Sequence, residues 1–182
     1  MPSLRSLPQG LRAPEAAMAR NFFAPDTGGV LAGAVRLASE YPYPHSIFGG
    51  AGAAEYVRGL ASRASHPGEG WYGLGLRPEE LAAAAYLSIY GFGRGDGHTL
   101  WKIRHPLADA SEGGRPLAEL FEDLVASAVR TRPGTAKFVL FLGEHEEGAM
   151  RSAQESGFRR EACFPDYYRL GEKCFVYGRT VR

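Results

Sequence analysis

His105 closes an alternating stretch, Leu100 to His105 (LWKIRH), and its intrinsic pKa suits it to take up a proton near neutrality. No carboxylate shares that stretch; its polar neighbours are Lys102 and Arg104. The plain alternative for His105 is a hydrogen-bonded histidine at a strand end. Nearer the C-terminus, Tyr167 and Tyr168 are phenols able to donate a proton, with aromatic packing as their ordinary use. A third group stands in the loop YPYPHSIFGG, Tyr41 to Gly50, where two prolines keep the chain extended. A loop that holds Tyr41, Tyr43, His45 and Phe48 on a rigid scaffold either lines a binding site or packs as a lid. The chemistry on offer is proton transfer around a small ligand.

Spacing argues against other chemistries. His145-Glu146-Glu147 starts like a zinc-protease helix but lacks the second histidine. GFGRGDG, Gly91 to Gly97, follows a strand, yet HTLWKIRHP after it alternates like another strand, so it reads as a flexible hairpin and not a dinucleotide fingerprint. The Arg94-Gly95-Asp96 triplet inside it reads as chance. Walker A, nucleophile-elbow and metal-cluster patterns are not found, and no metal is expected. Cys163 and Cys174 fit neither a metal-ligand spacing nor a disulfide framework. They fall on opposite arms of a predicted hairpin, out of register for facing each other. Two free thiols suit a reducing compartment, and a cytoplasmic location is expected.

The 182 residues are 45% hydrophobic, enough for one good core. A formal charge of +1 implies no nucleic-acid partner, and no apolar run of 18 residues suggests a membrane span. Residues 1–18 lack a signal-peptide core and read as an extension; 19–182 read as a single domain.

The elements that would position these residues follow from periodicity. Ala19 to Phe23 reads as a short strand. Asp26 or Thr27 would cap a helix with Val30, Leu31, Ala34, Val35 and Ala38 at core spacing. A second helix spans about Ala53 to Ala64. Strands follow at Trp71–Arg77, Leu81–Tyr90 and Leu100–His105, the last with Trp101, Ile103 and His105 on one face. Pro116 opens the longest helix, with an unbroken apolar stripe from Leu117 to Val129. Phe138 to Leu142 is a strand buried on both faces. A short helix stops at Gly157, and a hairpin turning at Leu170-Gly171-Glu172 closes the chain. The order is β-α-α-β-β-β-α-β-α-β-β, with one parallel β-α-β crossover inside an antiparallel meander.

That order resembles the GNAT superfamily of acetyl-CoA-dependent N-acetyltransferases. Family members commonly read N-x-x-A-x-x-x-Y-x-x-x-G-F over the helix after the fifth strand; here the aligned residues are Glu146, Ala149, Ala153, Gly157 and Phe158. The tail RREACFPDYYRLGEKCFVYGRTV is similar to the family's last hairpin. The resemblance implies an α/β (α+β) fold with a single mixed, mostly antiparallel sheet flanked by helices.

It also implies a site. The fourth and fifth strands would part at their C-terminal ends, so that free backbone groups pair with the pantetheine amides. Ile103, Arg104 and His105 would flank the thioester arm. Gly113, Gly114, Arg115, Leu117 and Ala118 would form the pyrophosphate turn at the helix N-terminus. Tyr41, Tyr43, His45 and Phe48 would line the acceptor side with Tyr167 opposite. His105 would be the base and Tyr168 the acid. Two departures stand out: Pro116 removes an N–H from the pyrophosphate turn, which Arg115 would compensate, and Ala153 replaces the family's acid tyrosine. The implied function is acyl transfer from acetyl-CoA, or a related acyl-CoA, to the primary amine of a small-molecule or amino-acid-like acceptor. The alternative is a non-catalytic binding or accessory protein. Homodimerisation is left open.

Overall fold

The computed structural model describes residues 19–41, 52–93, 97–112 and 114–182. The elements are β1 (Asn21–Phe23), α1 (Val30–Ser39), α2 (Gly52–Ala61), β2 (Gly70–Gly75), β3 (Leu81–Phe92), β4 (Thr99–Ala108), α3 (Arg115–Thr131), β5 (Ala136–Gly143), α4 (Glu147–Glu155), β6 (Arg159–Pro165) and β7 (Lys173–Val181). The order is the one the sequence predicts. The seven strands form a single sheet, β1-β2-β3-β4-β5-β7-β6, in which only β4 and β5 run parallel.

Small residues on β3 let helices approach both faces. Ala83, Ala85 and Leu87 join the core beneath α3 and α4, while Leu81, Ala84 and Tyr86 join the one beneath α1 and α2. On α3 the predicted stripe is buried from Leu117 through Ala128. Burial of each large side chain there contributes roughly 1.5–3 kcal/mol. β5 lies inside the sheet between β4 and β7, with Phe138, Leu140 and Leu142 fully buried among the residues facing α3.

Some local expectations change. The cap of α1 is Gly29, with φ of +95° and no side-chain hydrogen bond, and not Asp26 or Thr27. Gly33 then lies so close to β3 that an added Cβ would stand 2.6 Å from the Leu81 side chain. The glycines that weaken this helix as a sequence therefore seat it. α3 begins one residue earlier than expected, at Arg115, with Pro116 in its first turn. The last hairpin turns through a broader loop. Asp166 donates its N–H to the Glu172 carbonyl and its carboxylate accepts from the Gly171 N–H, so Tyr167 and Tyr168 belong to the loop and not to a strand. Cys163 pairs with Phe175 and Cys174 with Phe164, the predicted offset, and both thiols are free.

Gly157 does end α4, with φ of +75°. Its N–H reaches the Gln154 carbonyl and that of Phe158 reaches Ala153, which is a Schellman cap. Gly91 to Gly97 leads from strand to strand, closed by a 2.7 Å bond from Gly93 N–H to the His98 carbonyl; residues 94–96 lie outside the described residues. Among the described residues no helix is long and apolar enough to cross a membrane.

Candidate active site in the parting of two parallel strands

β4 and β5 pair from Thr99–Ala136 through Ile103–Leu140 and no further, although both strands continue. The cause is a bulge. Arg104 faces Tyr86 and Leu107 faces Ala84, so His105 and Pro106 together oppose one β3 residue, and His105 takes φ of +50°. A non-glycine residue there signals a conformation imposed by its surroundings. The bulge also reverses the facing of β4. Trp101 and Ile103 lie under α3, whereas Leu107 joins the α1–α2 core and His105 reaches α2. The expected single face for Trp101, Ile103 and His105 is thus broken at His105.

Beyond the bulge, a cavity of about 270 Å³ opens between the end of β4, the start of α3 and the start of α4. Pro106, Ala108, Leu117 and Ala149 line it with carbon; Tyr41, Asp109 and Glu146 bring polar groups. Tyr41 donates its hydroxyl to Glu146 Oε1 at 2.6 Å, and Glu146 Oε2 accepts the Gly143 N–H at 2.6 Å. Asp109 is held by both the hydroxyl and the N–H of Ser111 and by Arg36 at 3.3 Å. The Ser111 hydrogen bonds above all keep its carboxyl below the usual aspartate range.

A second polar group lies on the sheet face opposite α3. His105 Nε2 and the Tyr56 hydroxyl are 2.8 Å apart. Burial pushes the Tyr56 phenol up, against an opposing pull from Arg104 and Arg63. The Lys102 ammonium rests 4.0 Å from the centre of the Phe141 ring. Phe141 stacks on Tyr167, which meets Tyr168 edge-on at 4.9 Å between centroids. The Tyr168 hydroxyl is hydrogen-bonded to the buried Cys174 thiol, and burial raises its pKa well above the ordinary tyrosine value.

The expected pyrophosphate turn is less open. The Leu117 N–H is taken by the Gly114 carbonyl at 3.1 Å, and Pro116 has none to give. The Ser152 hydroxyl sits 2.7 Å from that same carbonyl, and Ser156 bonds the Ala118 carbonyl at 3.0 Å, so two serines dock α4 onto this end of α3. Arg115 is 73% exposed and donates Nε to Glu119 at 3.0 Å. Gly113, Tyr43, His45 and Phe48 lie outside the described residues. Ala153 is fully buried in the core, so α4 brings no hydroxyl to the site from that position.

The structure therefore gathers Ile103, Arg104 and His105 at the parting, Tyr41 in the cavity, and Tyr167 and Tyr168 on the open face. Sequence reasoning missed Glu146 as a cavity carboxylate, Tyr56 as the partner of His105, and the sequence-distant group of Lys102, Phe141 and Cys174. Only Glu146 carried a signal, its place in the acidic turn Glu144 to Glu147 after β5.

No protein-family model matches the sequence, and no curated protein does. Solved structures do match. A GCN5-related N-acetyltransferase from Kribbella flavida aligns with a TM-score of 0.64 at 17% identity, over 90% of this chain and 98% of that one. The fold is that of the GNAT N-acetyltransferases. An aminoglycoside 6′-N-acetyltransferase complexed with coenzyme A aligns with a TM-score of 0.63 at 14% identity, covering 90% of this chain and 97% of that one. A chain of the NatC complex bound to Gag peptide and CoA gives 0.65 at 13%, with 91% and 100% covered. The single mixed sheet, the parallel β4–β5 pair and the two layers of helices are the GNAT architecture throughout.

Proposed function

We propose that this chain is an acyl-CoA-dependent N-acyltransferase that moves an acetyl or related acyl group to a primary amine by direct attack. The observation that carries the reading is the parting of β4 from β5 at the His105 bulge, beside a cavity that ends at α3. A strand edge freed there offers backbone donors and acceptors to the amides of a pantetheine arm. The coenzyme-A complexes among the similar solved structures support the choice of donor.

The donor supplies an activated thioester carbonyl. The amine nitrogen forms the new C–N bond, the C–S bond breaks, and one proton must leave nitrogen while the thiolate gains one. His105 is assigned the first proton, with Tyr56 fixing the ring through Nε2. Tyr168 is assigned the second; burial raises its pKa above the ordinary tyrosine value, so the phenol holds its proton at neutral pH. Tyr41, Tyr167 and the aromatic face around Phe141 would hold a small amine acceptor.

Two observations favour a second reading, a GNAT-like protein that binds without catalysing. Pro116 and the Leu117 turn deplete the α3 N-terminus of donors, and Ala153 offers no acid. Calorimetric titration with acetyl-CoA, paired with thiol release against a panel of primary amines, separates the two. Binding with release that falls in His105→Ala supports the enzyme. Tight binding with no release above background for any amine supports the binding protein.

A further inference from the structure

Lys102 and Arg104 are two residues apart on β4, so their side chains leave the same face of the sheet, about 6–7 Å apart at the backbone. That is the face opposite α3, shared with Phe141, Tyr56 and Tyr168. Both cations are half-buried, and neither forms an ion pair with a described carboxylate. Arg104 Nε is buried with no hydrogen-bond partner among the described residues. The carboxylates that act on the same neighbours, Glu146 with Lys102 on Cys174 and Glu69 with Arg104 on Tyr86, are already committed. Glu146 is taken by Tyr41 and Gly143, and Glu69 by the N–H groups of Ser65, His66 and Ile89.

Like charges side by side in a half-buried setting repel, and a buried guanidinium nitrogen without a partner costs free energy. The burial of Lys102 and its proximity to Arg104 lower its pKa accordingly. Such an arrangement is relieved by an anion placed between the two heads. Directly after Arg104 comes the bulge with His105, where the acceptor nitrogen must lie if acyl transfer is the reaction.

We infer that the acceptor is an amine carrying its own anionic group, which Lys102 and Arg104 bind while the amine faces His105. A carboxylate or a phosphate has the required chemistry; an amino acid joins the first to an amine, and an aminoalkyl phosphate joins the second. The inference deepens the proposed acyl transfer and rests on it for the placing of the amine. It does not rest on it for the anion site.

The test is a matched panel: free amino acids against their C-terminal amides, and phosphoethanolamine against ethanolamine. Each is measured for thiol release with acetyl-CoA and for calorimetric binding in the presence of CoA. The expected result is that kcat/KM for the acid exceeds that for its amide. That preference should fall about ten- to a hundred-fold in Arg104→Met and in Lys102→Met, as loss of a charge-assisted hydrogen bond would give. The two anionic arms distinguish a carboxylate from a phosphate acceptor. Equal rates for acid and amide overturn the inference and leave acyl transfer standing. If no amine releases thiol, yet the anionic members bind and the variants abolish binding, acyl transfer fails and the anion site stands. Absence of both binding preference and turnover preference overturns it.

Discussion

The Tyr41 hydroxyl and Glu146 Oε1 stand 2.6 Å apart, joining the end of α1 to the cap of α4 across the mouth of the cavity. The residues are 105 positions apart in sequence, and the second oxygen of the same carboxylate holds the Gly143 N–H at the end of β5. One side chain therefore ties the chain just after α1 to the end of the strand that parts from β4.

A double-mutant cycle measures that tie. Hydrogen bonds to charged groups are worth about 1.5–3 kcal/mol. Tyr41→Phe is expected to destabilise by about 1–2 kcal/mol, and Glu146→Ala by somewhat more, since it also strands the Gly143 N–H. In denaturant unfolding the double variant should fall short of the sum by at least about 0.5 kcal/mol. Strict additivity would mean that the pair does not couple in solution.

Arg115 separates two views of the pyrophosphate turn. Its guanidinium is largely solvent-exposed and already engaged by Glu119. Solvent screening reduces what such a contact is worth, so Arg115→Ala should weaken CoA binding by less than about tenfold and leave binding of dephosphorylated pantetheine alone. Glu119→Gln releases the guanidinium and should tighten CoA binding in the same calorimetric assay. An equal loss for both ligands in Arg115→Ala would take Arg115 out of the phosphate site.

Much of the fold was legible because its signals are local. The α3 stripe and the Gly157 stop are each written in consecutive residues and form as expected; the apolar run of β5 forms its strand, but Phe141 is only half-buried on the face opposite α3. What escaped depends on register. The bulge at His105 arises from how β3 and β4 pair, and alternation alone places His105 beside Ile103 on the wrong face. The partnerships Tyr41–Glu146, Tyr56–His105 and Lys102–Phe141 join segments that meet only once the sheet is assembled. The Gly29 cap was missed for a different reason: Asp26 and Thr27 are better caps by residue type, but the fit of Gly33 against Leu81 fixes where the helix sits.

Glu69 offers a stability test away from the site. Its carboxylate accepts from the N–H groups of Ser65, His66 and Ile89, the last at 2.7 Å beside a slip in β3 pairing. Burial pushes its pKa up, but these backbone donors outweigh it and the net shift is downward. A carboxyl lowered in the folded state stabilises above its unfolded pKa of about 4.3, and that contribution is lost as pH falls through the folded value. Glu69→Ala should cost about 1–2 kcal/mol at neutral pH, near the low end for stranded donors because the group is partly solvated. The difference from wild type should shrink below about pH 4. A thermal-unfolding series in pH that shows a constant difference would place the cost elsewhere.

Tyr168 carries the last prediction, since Ala153 leaves α4 without a hydroxyl at that position and Tyr168 is the proposed acid. Burial raises the phenol first, and the neighbouring Cys174, Glu146 and Tyr167 add to it. The sign follows directly: with its pKa above the ordinary value of about 10, Tyr168 keeps its proton through the whole range in which the amine is being deprotonated. Its ionisation therefore adds no falling limb to the rate below about pH 10. Tyr168→Phe should lower kcat by about 10²–10⁴-fold if the hydroxyl protonates the departing thiolate, with the loss nearly uniform across pH. Tyr168→Phe also removes the hydrogen bond between the hydroxyl and the Cys174 thiol, so Cys174→Ser serves as the control for that contact. The measurement is kcat against pH for wild type, Tyr168→Phe and Cys174→Ser, read as thiol release. A Tyr168→Phe variant that turns over at the wild-type rate would return the ring to the aromatic wall of Phe141 and Tyr167 and leave protonation of sulfur to water.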